Sequence, residues 1–66
     1  MNHMYIDHGY TCYIQWQVTD QFRWEVHQSG KLLGYGWNWG EIEAEHSAHD
    51  FVVERIQRER LRLVKG

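Results

Sequence analysis

From Tyr10 to Val18 apolar and polar positions alternate. Tyr10, Cys12, Ile14, Trp16 and Val18 fall on one side, and Thr11, Tyr13, Gln15 and Gln17 on the other. A period of two in a run rich in aromatic and β-branched residues predicts a half-buried strand over 10–18. Phe22, Trp24 and Val26 alternate with Arg23, Glu25 and His27 in the same way, which predicts a second strand over 22–28. Leu33, Tyr35, Trp37 and Trp39 form the apolar side of a third, over 31–39, whose other side carries Leu32, Gly34, Gly36 and Asn38.

Turn chemistry sets the expected register. A three-residue loop at Thr19-Asp20-Gln21 would bring Val18 opposite Phe22, Trp16 opposite Trp24 and Ile14 opposite Val26. All the apolar residues then share one face, whereas a slip of one residue would split them. A two-residue loop at Ser29-Gly30 pairs Gln28 with Lys31, Val26 with Leu33 and Trp24 with Tyr35, and Gly suits such a hairpin.

After Gly40 the period lengthens. Residues 41–64 contain no Gly or Pro and are rich in helix formers. Ala48, Val52, Ile56 and Leu63 share one side of a helical wheel, with Val53 beside them. Glu41, Glu43 and Glu45 suit the positive N-terminal end of a helix dipole, and the later arginines its C-terminal end. Ser47 with Asp50 resembles a capping pair, so the helix starts either at 41 or at 47. Residues 1–9 read as an irregular lead-in. The expected fold is α+β: a single small domain over 1–66, with a three-stranded antiparallel sheet (β-β-β-α) and one C-terminal helix packed on its aromatic face.

Composition narrows the class. With 66 residues the chain makes one domain at most, and its ten Phe, Trp and Tyr residues supply a rich core for its size. A lone cysteine excludes an internal disulfide framework and points to a reducing compartment such as the cytoplasm. No apolar run approaches the roughly 20 residues of a membrane span, and no signal peptide is visible. No membrane partner is expected.

The net charge of −2 conceals an asymmetry. Over residues 1–54, Arg23 and Lys31 face eight carboxylates, for a balance of −6. Over residues 55–66 five cations face Glu59, for +4. The acidic group Glu41, Glu43, Glu45 and Asp50, with Asp20 and Glu25, is the first candidate binding surface. Dense carboxylates can imitate a phosphate backbone and steer the chain onto a partner's cationic surface. On the outer sheet face Tyr13, Arg23 and His27 are candidate contact residues, with Gly34 and Gly36 leaving backbone bare beside them. The alternative is direct nucleic-acid binding. Arg55, Arg58, Arg62 and Lys65 share one helical face, spaced to grip phosphates.

Catalytic and metal chemistry have little foothold. Cys12 points to the buried face, away from His27, so no nucleophile–base pair forms. His46-x-x-His49 with Asp50 lacks a partner at diagnostic spacing among His3, His8, Cys12, Glu25 and His27. No catalytic residue, metal or cofactor is expected.

In size, acidity and single-domain build the whole chain resembles small phage-encoded inhibitors of host defence, of the anti-CRISPR type. The resemblance implies a non-enzymatic protein that blocks the nucleic-acid-binding surface of a host protein or ribonucleoprotein complex. It would act by steric occlusion and acidic DNA mimicry, as a monomer or weak homodimer.

Overall fold

The computed structural model describes residues 2–17 and 19–65, with side chains through Arg62. Four strands precede one helix: β1 (Asn2–Asp7), β2 (Tyr10–Trp16), β3 (Phe22–Gln28), β4 (Lys31–Asn38) and α1 (Glu41–Lys65). The strands form one antiparallel sheet in chain order, β1-β2-β3-β4. The architecture is therefore α+β with a C-terminal helix, but the sheet has four strands rather than the expected three.

The additional strand is β1, in the segment read as an irregular lead-in. Its turn is His8-Gly9, both with positive φ (52° and 85°), the geometry of a two-residue type I′ hairpin. The turn pairs Asp7 with Tyr10, Tyr5 with Cys12 and His3 with Ile14. β1 also inverts the usual logic of alternation. It turns His3, Tyr5 and Asp7 toward the helix side and leaves Met4 and Ile6 exposed on the other.

The Ser29-Gly30 turn forms as expected, with φ of 54° and 75°, and Gln28 pairs with Lys31. A bulge between Val26 and His27 then shifts the register by one residue. Val26 lies opposite Gly34 and Trp24 opposite Gly36, not opposite Leu33 and Tyr35. A one-residue slip exchanges the faces of a strand. Gly34 and Gly36 therefore face the helix, while Tyr35 and Trp37 face outward. The physical cause is bulk. A Cβ on Gly34 would meet the ring of Phe51, and one on Gly36 would lie 2.8 Å from Trp24 Nε1. Leu33, the extra residue of the bulge, still packs against the core.

At the β2–β3 connection the Gln17 N–H donates to the Gln21 carbonyl at 2.7 Å. Trp16 then lies opposite Phe22, Ile14 opposite Trp24 and Cys12 opposite Val26. This is two residues from the expected register, an even slip that preserves the faces. The expected Val18–Phe22 pair falls outside the described residues.

The helix starts at Glu41, not Ser47. The Ala44 N–H donates to the Gly40 carbonyl at 3.0 Å, which makes Gly40 the N-cap. Glu43, three residues on, folds its carboxyl back over Gly40, as an N3 glutamate does in a capping box. Ala44, Ala48 and Val52 are fully buried, and Ala48 and Val52 share one core cluster with Tyr10, Cys12 and Val26 of the sheet. Burying side chains such as Ile14 and Val26 contributes roughly 1.5–3 kcal/mol each. Trp24 and Phe51 meet at 5.8 Å between ring centroids and close the β3–β4 side of the core. Residues 57–62 are all exposed.

Candidate functional site

With the helix covering one face of the sheet, the other face stays open. The pairing sets its side chains in three cross-strand rows. These are Asn2–Gln15–Arg23–Trp37, Met4–Tyr13–Glu25–Tyr35 and Ile6–Thr11–His27–Leu32. Met4, Ile6, Leu32, Tyr35 and Trp37 are all exposed, with Tyr35 and Trp37 about half accessible (52% and 50%). They fall at the two edges of the face, Met4 and Ile6 on β1 and Leu32, Tyr35 and Trp37 on β4, with polar positions on β2 and β3 between them.

A polar cluster locks the centre of this face. Arg23 Nε donates to Glu25 Oε2 at 2.7 Å, and His27 Nε2 lies 2.9 Å from Glu25 Oε1. The hydrogen bonds from Arg23 and His27 hold the Glu25 carboxyl below the usual glutamate range. The Arg23 guanidinium carbon stands 4.4 Å from the Tyr35 ring centroid and 4.9 Å from that of Trp37. The two rings meet edge to face at 5.5 Å. Tyr13 meets His27 edge to face at 4.9 Å, although its strand partner is Glu25 rather than the expected His27. Tyr13, Arg23 and His27 thus come together. Tyr35 and Trp37, which alternation alone assigned to the core, complete the group.

The acidic candidates do not share one surface. Glu25 lies on the open face, behind the sheet from the helix. Asp20 is in the β2–β3 turn with φ of 60°. Glu41 and Glu45 flank His3, whose Nδ1 and Nε2 lie 3.3 and 3.1 Å from their respective carboxylates. Glu43 is folded over Gly40, and Asp50 is exposed on the helix.

The cationic candidates also differ among themselves. Arg55 is half-buried, and its Nε is enclosed with no hydrogen-bond partner among the described residues. Arg58 and Arg62 are exposed, and the Lys65 side chain lies outside the described set.

Between β1 and the helix runs a groove of about 410 Å³ lined by His3, Tyr5, Asp7, Glu45, His46 and His49. Asp7 anchors one end. Its Oδ1 is 2.5 Å from His8 Nδ1 and its Oδ2 2.7 Å from His49 Nδ1. Burial opposes ionisation of Asp7, but the bonds to His49 and His8 outweigh it and hold its pKa below the ordinary value. The same bond to Asp7 raises the pKa of His49. His49 therefore pairs with Asp7, 42 residues away in sequence, and not with Asp50. Sequence reasoning counted Asp7 only among the acidic residues and missed its pairing with His49, because it assigned no strand to residues 1–9; Gly9 directly after His8 was the available turn signal. Cys12 is fully buried, and burial pushes its thiol pKa up, as befits a small core residue.

No helix among the described residues is long and apolar enough to cross a membrane. Comparison with known proteins gave no match to a family profile, a curated protein or a solved structure.

Proposed function

We propose that this protein is a non-enzymatic protein-binding module that engages its partner through the open face of the sheet. One observation carries the reading. Tyr35 and Trp37 stand half exposed around an Arg23 that is already held by Glu25. Trp, Tyr and Arg are the residues that most often dominate binding energy at protein interfaces. Arg23 is already hydrogen-bonded to Glu25 and flanked by both rings before binding, which lowers the side-chain entropy lost on association. Leu32 adds exposed apolar surface on the same strand, and Met4 and Ile6 do so at the opposite edge of the face. A suitable partner surface presents apolar groups to Tyr35 and Trp37 and polar groups to the Arg23–Glu25–His27 centre.

An inhibitor of the anti-CRISPR type, as the resemblance implies, would use this face for steric occlusion of a host complex. Acidic mimicry would be secondary. Glu25 is paired with Arg23 on the open face, and Glu41 and Glu45 lie beside His3 on the helix side, so the carboxylates do not form one phosphate-like array. The +4 tail offers the competing reading, direct nucleic-acid binding through Arg58 and Arg62.

The test is affinity capture from bacterial lysate with and without nuclease, using the wild-type chain, Tyr35→Ala/Trp37→Ala and Arg58→Ala/Arg62→Ala. A nuclease-resistant protein retained by the wild type and the arginine variant, and lost from the aromatic variant, supports the proposal. Capture that disappears with nuclease, or that survives loss of both aromatics, overturns it.

A further inference from the structure

We propose that Asp7, His8 and His49 form a binding site for a divalent transition-metal cation, of which Zn²⁺ is the natural probe. The three residues come from three places: the end of β1, the β1–β2 turn and the exposed side of α1. One ligand atom from each lies within 4.8 Å of the other two. A tetrahedral ion with bonds of 2.0–2.1 Å needs ligand atoms about 3.4 Å apart, so small side-chain rotations close the site. Two imidazoles and one carboxylate are the donors that Zn²⁺ and related borderline cations take up, with a further position open to water.

Three features distinguish this set from a chance cluster. Asp7 sits centrally, and its two oxygens each meet a different imidazole at Nδ1. A metal would replace the protons now shared between them. Its binding releases a proton from whichever imidazole is charged. His8 is held at φ 52°, in the left-handed region, at a turn position where Asn, Asp or Gly is the common choice. That position brings its ring to 6.2 Å from the His49 ring. Finally, Asp7 is largely shielded while both histidines are open to solvent, so an ion has an approach path.

The neighbouring group of His3, Glu41 and Glu45 also gathers ligand atoms within 4.8 Å, but it offers one imidazole and two carboxylates where the Asp7 group offers two imidazoles. His3 directs Nδ1 at Glu41 and Nε2 at Glu45. The two ring nitrogens point away from each other, so one ion cannot replace both contacts. This cluster therefore serves as a control.

A bound ion would join the β1–β2 turn directly to the helix. β1 is an edge strand that pairs only with β2, so the ion would stabilise the folded state by mass action. The test is titration of the tag-free, metal-stripped chain with ZnCl₂ at neutral pH, followed by calorimetry and by thermal melting. The expected result is one equivalent bound and a rise in Tm. Binding should weaken by at least about tenfold in His8→Asn and in His49→Gln, since loss of even outer-shell support costs a metal site 10–100-fold. Asn keeps the left-handed turn and His49 is exposed, so both variants should fold. His3→Ala and His27→Ala should bind as the wild type does. The absence of binding, or binding lost in His3→Ala but retained in His8→Asn and His49→Gln, would overturn the assignment.

Discussion

Gly34 makes room for Phe51. A Cβ on Gly34 would lie 2.5 Å from Phe51 Cζ and 3.0 Å from Cδ2, inside the contact distance of any real side chain. The ring sits over bare backbone and reaches Trp24 beyond it. Gly34→Ala should therefore force the helix away from β4 and destabilise the fold by about 1–3 kcal/mol, the usual range for overpacking. Urea denaturation measures this directly. Because the two residues touch, Gly34→Ala combined with Phe51→Leu should lose less than the sum of the single changes. Additive losses would mean that Phe51 does not depend on the glycine.

This contact also explains which parts of the fold were legible in the sequence. Period-two runs located β2, β3 and β4, and the long Gly-free segment located α1, because each pattern follows from local geometry. The faces of β4 did not follow. Large apolar side chains at 33, 35, 37 and 39 suggested an inward aromatic face, but the helix approaches too closely for them. Small residues at 34 and 36 fit beneath Phe51 and Trp24 instead, and one bulge makes the exchange. β1 escaped notice because its apolar residues, Met4 and Ile6, point outward and its inward positions are titratable. Of the site, Tyr13, Arg23 and His27 were legible from alternation. The contribution of Tyr35 and Trp37 depended on the bulge, and that of Asp7 on a hairpin whose turn begins with histidine.

Glu25 should give the fold an acid-sensitive component. Its hydrogen bonds with Arg23 and His27 lower its folded pKa beneath the ordinary value near 4.5. The unfolded state then binds the proton more readily, so stability rises with pH across this range. The contribution is complete above the unfolded value and is lost as pH falls through the folded one. Denaturation midpoints measured from pH 6 downward should fall less steeply in Glu25→Gln than in the wild type. Parallel profiles would show that the cluster makes no net contribution.

Arg23 and Trp37 stack on one another yet should differ in what they do for the fold. Trp37 is half exposed, so Trp37→Ala should change stability by less than about 1 kcal/mol. Arg23→Ala leaves the Glu25 carboxylate partly buried with only His27 beside it, and loss of a charged hydrogen-bond partner costs on the order of 1–3 kcal/mol. Binding assays should show the opposite balance of interest, with Trp37→Ala alone separating affinity from stability. A Trp37→Ala chain that unfolds would assign the ring to the fold rather than to the partner.

Gly9 offers a way to loosen one strand without disturbing the rest. Its φ of 85° is strained for any residue with a Cβ, although open space surrounds it. Gly9→Ala should cost roughly 1–2 kcal/mol through backbone strain alone. Because β1 is an edge strand, the damage should remain local. Amide hydrogen exchange should accelerate at β1 and at the β2 residues facing it, while β3 amides, protected on both sides by neighbouring strands, change little. His8→Asn should behave differently, since asparagine tolerates the left-handed turn. If Gly9→Ala instead raised exchange equally across β3, the β1 hairpin would be part of one cooperative unit with the rest of the sheet, to which β2 connects it.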